Sequence, residues 1–190
     1  MAGELASDLA NAERVVVAGG AYGIEGAAHR AALASGGDTI AVMANSVDHP
    51  YPIGHRELLE RVADLGLMVS EVPPGAVPTR HRFLARARLM AALSAATVVV
   101  EAGARTGSMA VARRAHELGR AVSAVPSPVT SITSAGPHQL LRDGASLVTG
   151  ASDVVSPRGR DSASTIQTSA VLRDSGRLST VTESTSARAL

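Results

Sequence analysis

Neither cysteine nor lysine occurs anywhere in the 190 residues. The first absence excludes disulfides, thiolate metal sites and a cysteine nucleophile. The second leaves arginine as the whole basic complement of 18, a side chain suited to bidentate phosphate contact. Tryptophan is missing too, and Tyr22, Tyr51 and Phe83 are the only aromatics. The core must therefore be built from Val, Leu, Ile and Ala. No charge sign dominates: the formal net charge is +1, so any basic footprint for nucleic acid must be local. No apolar run reaches membrane-spanning length, and the start at Met1 lacks a signal-peptide pattern. The expectation is a cytoplasmic protein with no membrane partner. The six histidines have no metal-ligand spacing, and no Gly-x-Ser-x-Gly elbow occurs. No metal and no cofactor are expected.

What is present is a repeating alternation. Short apolar runs at Arg14–Ala18, Thr39–Met43, Leu67–Ser70, Thr97–Val100, Ala121–Val125 and Ser146–Val148 read as strands. Helical patterns lie between them, at Glu4–Glu13, Ile24–Leu33, Arg56–Leu65, Arg82–Ser94, Ser108–Leu118 and His138–Arg142. Such alternation means βαβ units. The expected fold is α/β: a Rossmann-like, doubly wound, mostly parallel sheet with helices on both faces. Residues 1–155 make this domain. Residues 156–190, rich in Ser, Thr and Arg, cannot bury enough apolar surface to offset ordering. They read as a mostly disordered tail, dispensable for folding, in which Ser169–Leu172 has weak pairing potential.

The centre of the pattern is the run Val98-Val99-Val100-Glu101 followed by Ala102-Gly103-Ala104-Arg105-Thr106-Gly107-Ser108. A buried parallel strand reads as a continuous apolar run. The turn after it places backbone N–H groups at a helix N-terminus, where anions are favoured. Gly107 and Ser108, with Arg105 beside them, form a candidate phosphate site, against the plainer reading of an ordinary N-cap turn. Gly19, Gly20 and Gly23 follow the first strand. Their spacing is not that of a dinucleotide fingerprint. A tight turn and a phosphate cradle account for them equally. Tyr22 between them offers a stacking face for a base, or is simply a packed surface tyrosine. Arg80, Arg82, Arg86 and Arg88 crowd into nine residues, with no acid between Glu71 and Glu101. Phosphate binding by this run is preferred to a solvated face. Phe83, Ala87 and Met90 are expected to face the core.

Taken in order, several motifs resemble the DNA-processing protein A (DprA/Smf) family. They are Gly23-Ile24-Glu25, Ala28-His29, Thr39-Ile40-Ala41-Val42, Asp48 with Tyr51-Pro52, and Ser70-Glu71 with Pro74-Gly75. Further on come Phe83 with Arg86 and Arg88, Ala92-Leu93-Ser94, Val100-Glu101-Ala102, Thr106-Gly107-Ser108, Gly119-Arg120 and Ala124-Val125-Pro126. The resemblance covers about Val15 to Asp153. It implies an extended Rossmann-like domain that binds single-stranded DNA and forms a homodimer. It also implies a partner, a RecA-type recombinase loaded onto single strands during natural transformation and DNA recombination, and no catalysis. The chain departs from the family pattern in several places. Tyr22 stands where an arginine usually precedes the Gly-Ile-Asp turn, and Glu25 replaces its acid. Arg86-Ala87-Arg88 stands for Arg-Asn-Arg, and Ala44-Asn45-Ser46 for glycines. The family's opening strand, its N-terminal helical domain and its winged helix are not seen, so the chain reads as a shortened, diverged member.

The rival reading is a phosphoribohydrolase-like nucleotide enzyme on a related fold. That chemistry needs a glutamate soon after the glycine turn, and here no acid follows Gly107 before Glu117. An inactive remnant is the third reading.

Overall fold

Valine-rich runs fold here as the centre of a sheet. In the computed structural model, residues 1–155, 167–168 and 170–174 are described. The strands are β1 (Arg14–Ala18), β2 (Thr39–Val42), β3 (Leu67–Val69), β4 (Ala96–Val99), β5 (Ala121–Ala124) and β6 (Ser146–Leu147), with β7 (Gln167–Thr168) and β8 (Ala170–Asp174) beyond them. The helices are α1 (Ala2–Asn11), α2 (Ile24–Ala34), α3 (Arg56–Leu65), α4 (Arg80–Leu93), α5 (Gly107–Glu117), α6 (Ala135–Arg142) and α7 (Ala151–Val155). Two 3₁₀ turns, Ile53–His55 and Ile132–Ser134, precede α3 and α6.

The strand order is β3-β2-β1-β8-β7-β4-β5-β6. β1 pairs parallel with β2, β2 with β3, β4 with β5, and β5 with β6. The doubly wound, mostly parallel α/β architecture expected from the βα alternation is the one observed. β8 runs antiparallel to β1 and β4. Of residues 156–190, then, the described positions pair into the sheet; the remainder of the expected tail lies outside the described residues.

Alternation along β1 sets the layers. Val16 and Ala18 pack with Leu5, Leu9, Ala28 and Ala32 of α1 and α2, while Val15 and Val17 meet Met90 and Ala91 of α4 and Val111 of α5. α3 closes the β2 end with Leu58, Leu59 and Val62. With so few aromatics, the helices approach closely on small residues. Ala6 and Ala32 are fully buried, and a Cβ on Gly37 would sit 2.5 Å from Ala10 Cβ. Packing this tight leaves no room for larger side chains.

Among the buried polar groups, His29 and Thr39 form a bonded cluster. His29 of α2 lies beneath the end of β1. Its Nε2–H donates to the Gly19 carbonyl at 3.0 Å, and its Nδ1 lies 2.7 Å from Thr39 Oγ1. The single Thr39 hydroxyl proton has two acceptors in reach, this Nδ1 and the Val16 carbonyl at 2.7 Å. Burial lowers the His29 pKa from 6.5 to about 4. The imidazole is therefore neutral at pH 7 and serves as a structural hydrogen-bonding group, not a metal ligand.

Candidate nucleic-acid interface

The turns after β1 and β4 lie on either side of the point where strand order reverses, the usual ligand position in an open α/β sheet. A cavity of about 730 Å³ opens there. Its walls come from the β1–α2 turn (Tyr22, Gly23, Glu25), from α4 (Arg80, Phe83, Arg86) and from the β4–α5 turn (Glu101, Arg105, Gly107, Ser108).

Each wall has a local cause. Gly23 takes φ +83 to turn the chain into α2, a conformation that costs a side chain with a Cβ. Gly19 and Gly20 do not line the cavity; they make space behind it. A Cβ on Gly19 would collide with the Arg86 guanidinium, and one on Gly20 would stand 2.9 Å from the Tyr51 carbonyl oxygen. Close packing against backbone therefore explains Gly20, while at Gly19 the neighbour is the end of the Arg86 side chain. Glu25 ties the turn to α4. One carboxylate oxygen accepts the Ala21 N–H at 2.8 Å, and the other accepts Arg86 Nη2 at 3.4 Å. Arg86 also donates to the Val42 carbonyl at 3.4 Å, and its guanidinium carbon lies 5.2 Å from the Phe83 ring centre. Its side chain is 11% exposed and its Nε has no partner.

The four clustered arginines therefore divide. Arg80 and Arg86 line the cavity. Arg82 turns back to the Val77 carbonyl, and Arg88 pairs with Glu71. The run looks unneutralised in sequence, yet acids 17 and 61 residues away fold onto Arg88 and Arg86. Among the described residues, Arg80 and Arg105 form no ion pair. Ala87 and Met90 are buried as expected, but Phe83 is only half-buried and lines the cavity, edge-on to Tyr51 with ring centres 6.2 Å apart. Arg86, stacked against this ring, is tethered to Glu25 of α2 and to the Val42 carbonyl of β2.

At α5, Thr106 is the N-cap residue, but its hydroxyl donates back to the Gly103 carbonyl at 3.1 Å and caps no helix N–H. The first turn of α5 holds no acid. The N–H groups at Gly107 and Ser108 thus start the helix with no side-chain cap and no acid beside its positive end. Glu117 lies at the other end of α5, paired with Arg114 at 2.6 Å. It is far from the position a hydrolytic glutamate would need.

Tyr22 is 64% exposed, yet fixed at its tip: its hydroxyl accepts the Gly54 N–H at 3.1 Å. Its ring stands edge-on to His55, with centres 4.6 Å apart. His55 is in turn bonded through Nδ1 to the Gly20 carbonyl at 3.0 Å. Tyr22 is thus packed at its tip and against His55, with the rest of the side chain open to solvent. The loop leading to Arg80 is pinned as well. The Asp48 carboxylate accepts the Gly75 N–H at 3.0 Å, and the Ser46 hydroxyl and this N–H hold its pKa down at about 2.

The comparisons with known proteins converge on one family. The model of the DNA recombination-mediator protein A family matches residues 1–158. The chain belongs to the DprA/Smf family. It is 58% identical over 155 residues to a Mycobacterium tuberculosis protein named for DNA processing, DprA, covering 82% of this chain and 40% of that one. It is 42% identical over 143 residues to DprA of Streptococcus pneumoniae, covering 75% of this chain and 51% of that one. The chain thus spans about half or less of these DprA relatives. The crystal structure of the S. pneumoniae DprA superposes with a TM-score of 0.77 at 38% identity, over 84% of this chain and 56% of that one. A Helicobacter pylori DprA structure, described for its single-stranded DNA binding mode, gives 0.73 at 31% identity, over 80% of this chain and 69% of that one.

Within this DprA-family domain, the structure brings Tyr22, Gly23, Arg80, Arg86, Arg105, Gly107 and Ser108, which the sequence offered as separate candidates, to one cavity, and leaves Gly19, Gly20, Arg82 and Arg88 outside it. Sequence reading missed Glu25 as the clamp on Arg86, and Phe83 and Glu101 as wall residues. The available signal for Phe83 was a lone aromatic among arginines, in a chain with three aromatics. Among the described residues, no group of three His, Asp or Glu is placed to hold a metal ion, and no helix is long and apolar enough to cross a membrane.

Proposed function

We propose that this chain is a single-stranded DNA-binding domain of the DprA type. It works in the cytoplasm as a homodimer, delivering strands to a RecA-type recombinase, and it catalyses no reaction. The observation that carries this reading is the cavity at the switch point. Arg80 and Arg105, the uncapped start of α5, and the rings of Phe83 and Tyr22 meet there. Cations and backbone N–H groups suit phosphates, and exposed rings suit unstacked bases. The relative whose structure is described for single-stranded DNA binding shares this fold.

Titration with labelled oligo-dT at two salt concentrations tests it. Two to three phosphate contacts on a single strand give a slope of log K against log salt between about −1.4 and −2.1. Binding without salt dependence, or none at low salt, overturns the reading. The hydrolase alternative gains no support from the site, because α5 carries its acid, Glu117, at the end away from the cavity.

A further inference from the structure

An arginine beside a basic cavity reads as a phosphate contact, and in sequence Arg86 reads that way with its neighbours. In the folded chain it stands apart from them. Arg80 and Arg105 are exposed at the cavity, whereas the side chains of Arg86 and its partner Glu25 are nearly enclosed, at 11% and 14% exposure. The guanidinium is taken up on each side. Nη2 donates to Glu25 Oε1 and Nη1 to the Val42 carbonyl, both at 3.4 Å. A Cβ on Gly19 would collide with it. Nε is buried, with no partner among the described residues. The group lies over the ring of Phe83, one turn earlier on α4, at 5.2 Å from the ring centre.

Glu25 is itself held, because its second oxygen accepts the Ala21 N–H at 2.8 Å. A phosphate brought to Arg86 would therefore meet an anchored carboxylate of its own sign, where little water is present to screen the two. Phe83 is placed differently. Its ring lines the cavity, with the guanidinium over one face and Tyr51 packed beside it. We propose that Arg86 is a positioning residue for base contact. It backs the Phe83 ring and joins α4 to α2 and β2, and no phosphate reaches it. This role rests on the reading of the cavity as a site for single-stranded DNA. A guanidinium suits it where an ammonium does not: its plane stacks on a ring while its fork reaches two acceptors at once. Glu25 fixes the fork and offsets its charge.

The test measures binding of the full chain to two labelled strands, oligo-dT and the same strand with its central thymines replaced by abasic sites, at several salt concentrations. Wild type is expected to prefer the strand with bases by about fivefold or more, the effect of one stacked base. Arg86→Lys keeps the charge and loses the planar fork. It is expected to bind both strands alike, with the salt slope of wild type. Phe83→Leu is expected to lose the same preference, and the two changes together to lose no more than either. Glu25→Gln keeps Arg86 and loosens its tether, so the preference should fall there too, in a chain whose guanidinium is intact. Arg80→Ala gives the contrast: its slope falls by about 0.7 and its base preference stays. A slope lowered by about 0.7 in Arg86→Ala, with base preference intact, overturns the proposal, since Arg86 is then a phosphate contact. Base preference retained in both Arg86→Lys and Glu25→Gln overturns it as well. Wild type that binds the two strands equally overturns it and leaves DNA binding standing. Wild type that binds neither strand overturns the DNA reading, and this role with it.

Discussion

Single side chains decide how this domain responds to pH and salt. His29 has its pKa lowered by burial from 6.5 to about 4. The unfolded chain therefore takes up the proton first. The stability associated with the neutral ring is complete above about pH 6.5 and is lost progressively as pH falls toward 4. Across that window the loss amounts to about 3 kcal/mol. Denaturant unfolding at pH 7 and pH 4, wild type against His29→Gln, measures it: the gap between the two proteins should narrow by about that amount at pH 4. An unchanged gap would place the acid sensitivity elsewhere. At the cavity, the division of the arginines makes a sharp contrast. Arg80→Ala and Arg105→Ala should each reduce the salt slope of oligo-dT binding by about 0.7. Arg88→Ala, which loses a pair with Glu71 on the surface, should leave it unchanged. Phosphate contacts carry no base information, so the losses should be equal for oligo-dT and mixed sequences.

At the scale of elements, α5 separates binding from stability. Its first turn has no acid and no side-chain cap. Ser108→Glu should favour the helix, because a negative charge suits its N-terminus by about 0.3–1 kcal/mol. The same charge should repel phosphate and weaken oligo-dT binding about tenfold or more. A melting temperature held or raised, with affinity lost, is the expected pair of results; affinity retained would remove α5 from the interface. Helices and strands of this kind were legible in the sequence because both faces of the sheet are covered. The runs at Arg14–Ala18 and Arg56–Leu65 match the observed elements at both ends. α4 was harder. Its arginines and apolar residues are mixed around the helix; the spacing pointed Phe83, with Ala87 and Met90, to the core, and only the latter two are buried there, Phe83 being half-buried at the cavity. The Glu25–Arg86 tether beside it joins residues 61 apart. The same long-range acids made the arginine run look more basic than it is. β7 and β8 were hard to read, since Ser, Thr, Arg and Asp surround them and the sequence offered only weak pairing potential at Ser169–Leu172.

For the molecule as a whole, removal of residues 156–190 becomes informative. The composition of this stretch argues for a dispensable tail; its pairing between β1 and β4 argues the opposite. Truncation after Val155 should lower the melting temperature by roughly 10 °C or more, given that about 1 kcal/mol shifts a domain of this size by 2–4 °C. A melting temperature within a degree or two of the full chain would mean that the two parallel halves hold together without β8. The position of β8 also bears on the order of events during synthesis. Domains assemble as they leave the ribosome, N-terminal parts first. Here the strand at the middle of the sheet, β8, is translated after both of the strands it joins, β1 and β4. Until Ala170–Asp174 emerges, the nascent chain holds two half-sheets with open inner edges. It is during this interval, rather than in the finished protein, that chaperones or neighbouring nascent chains have the readiest access to β1 and β4.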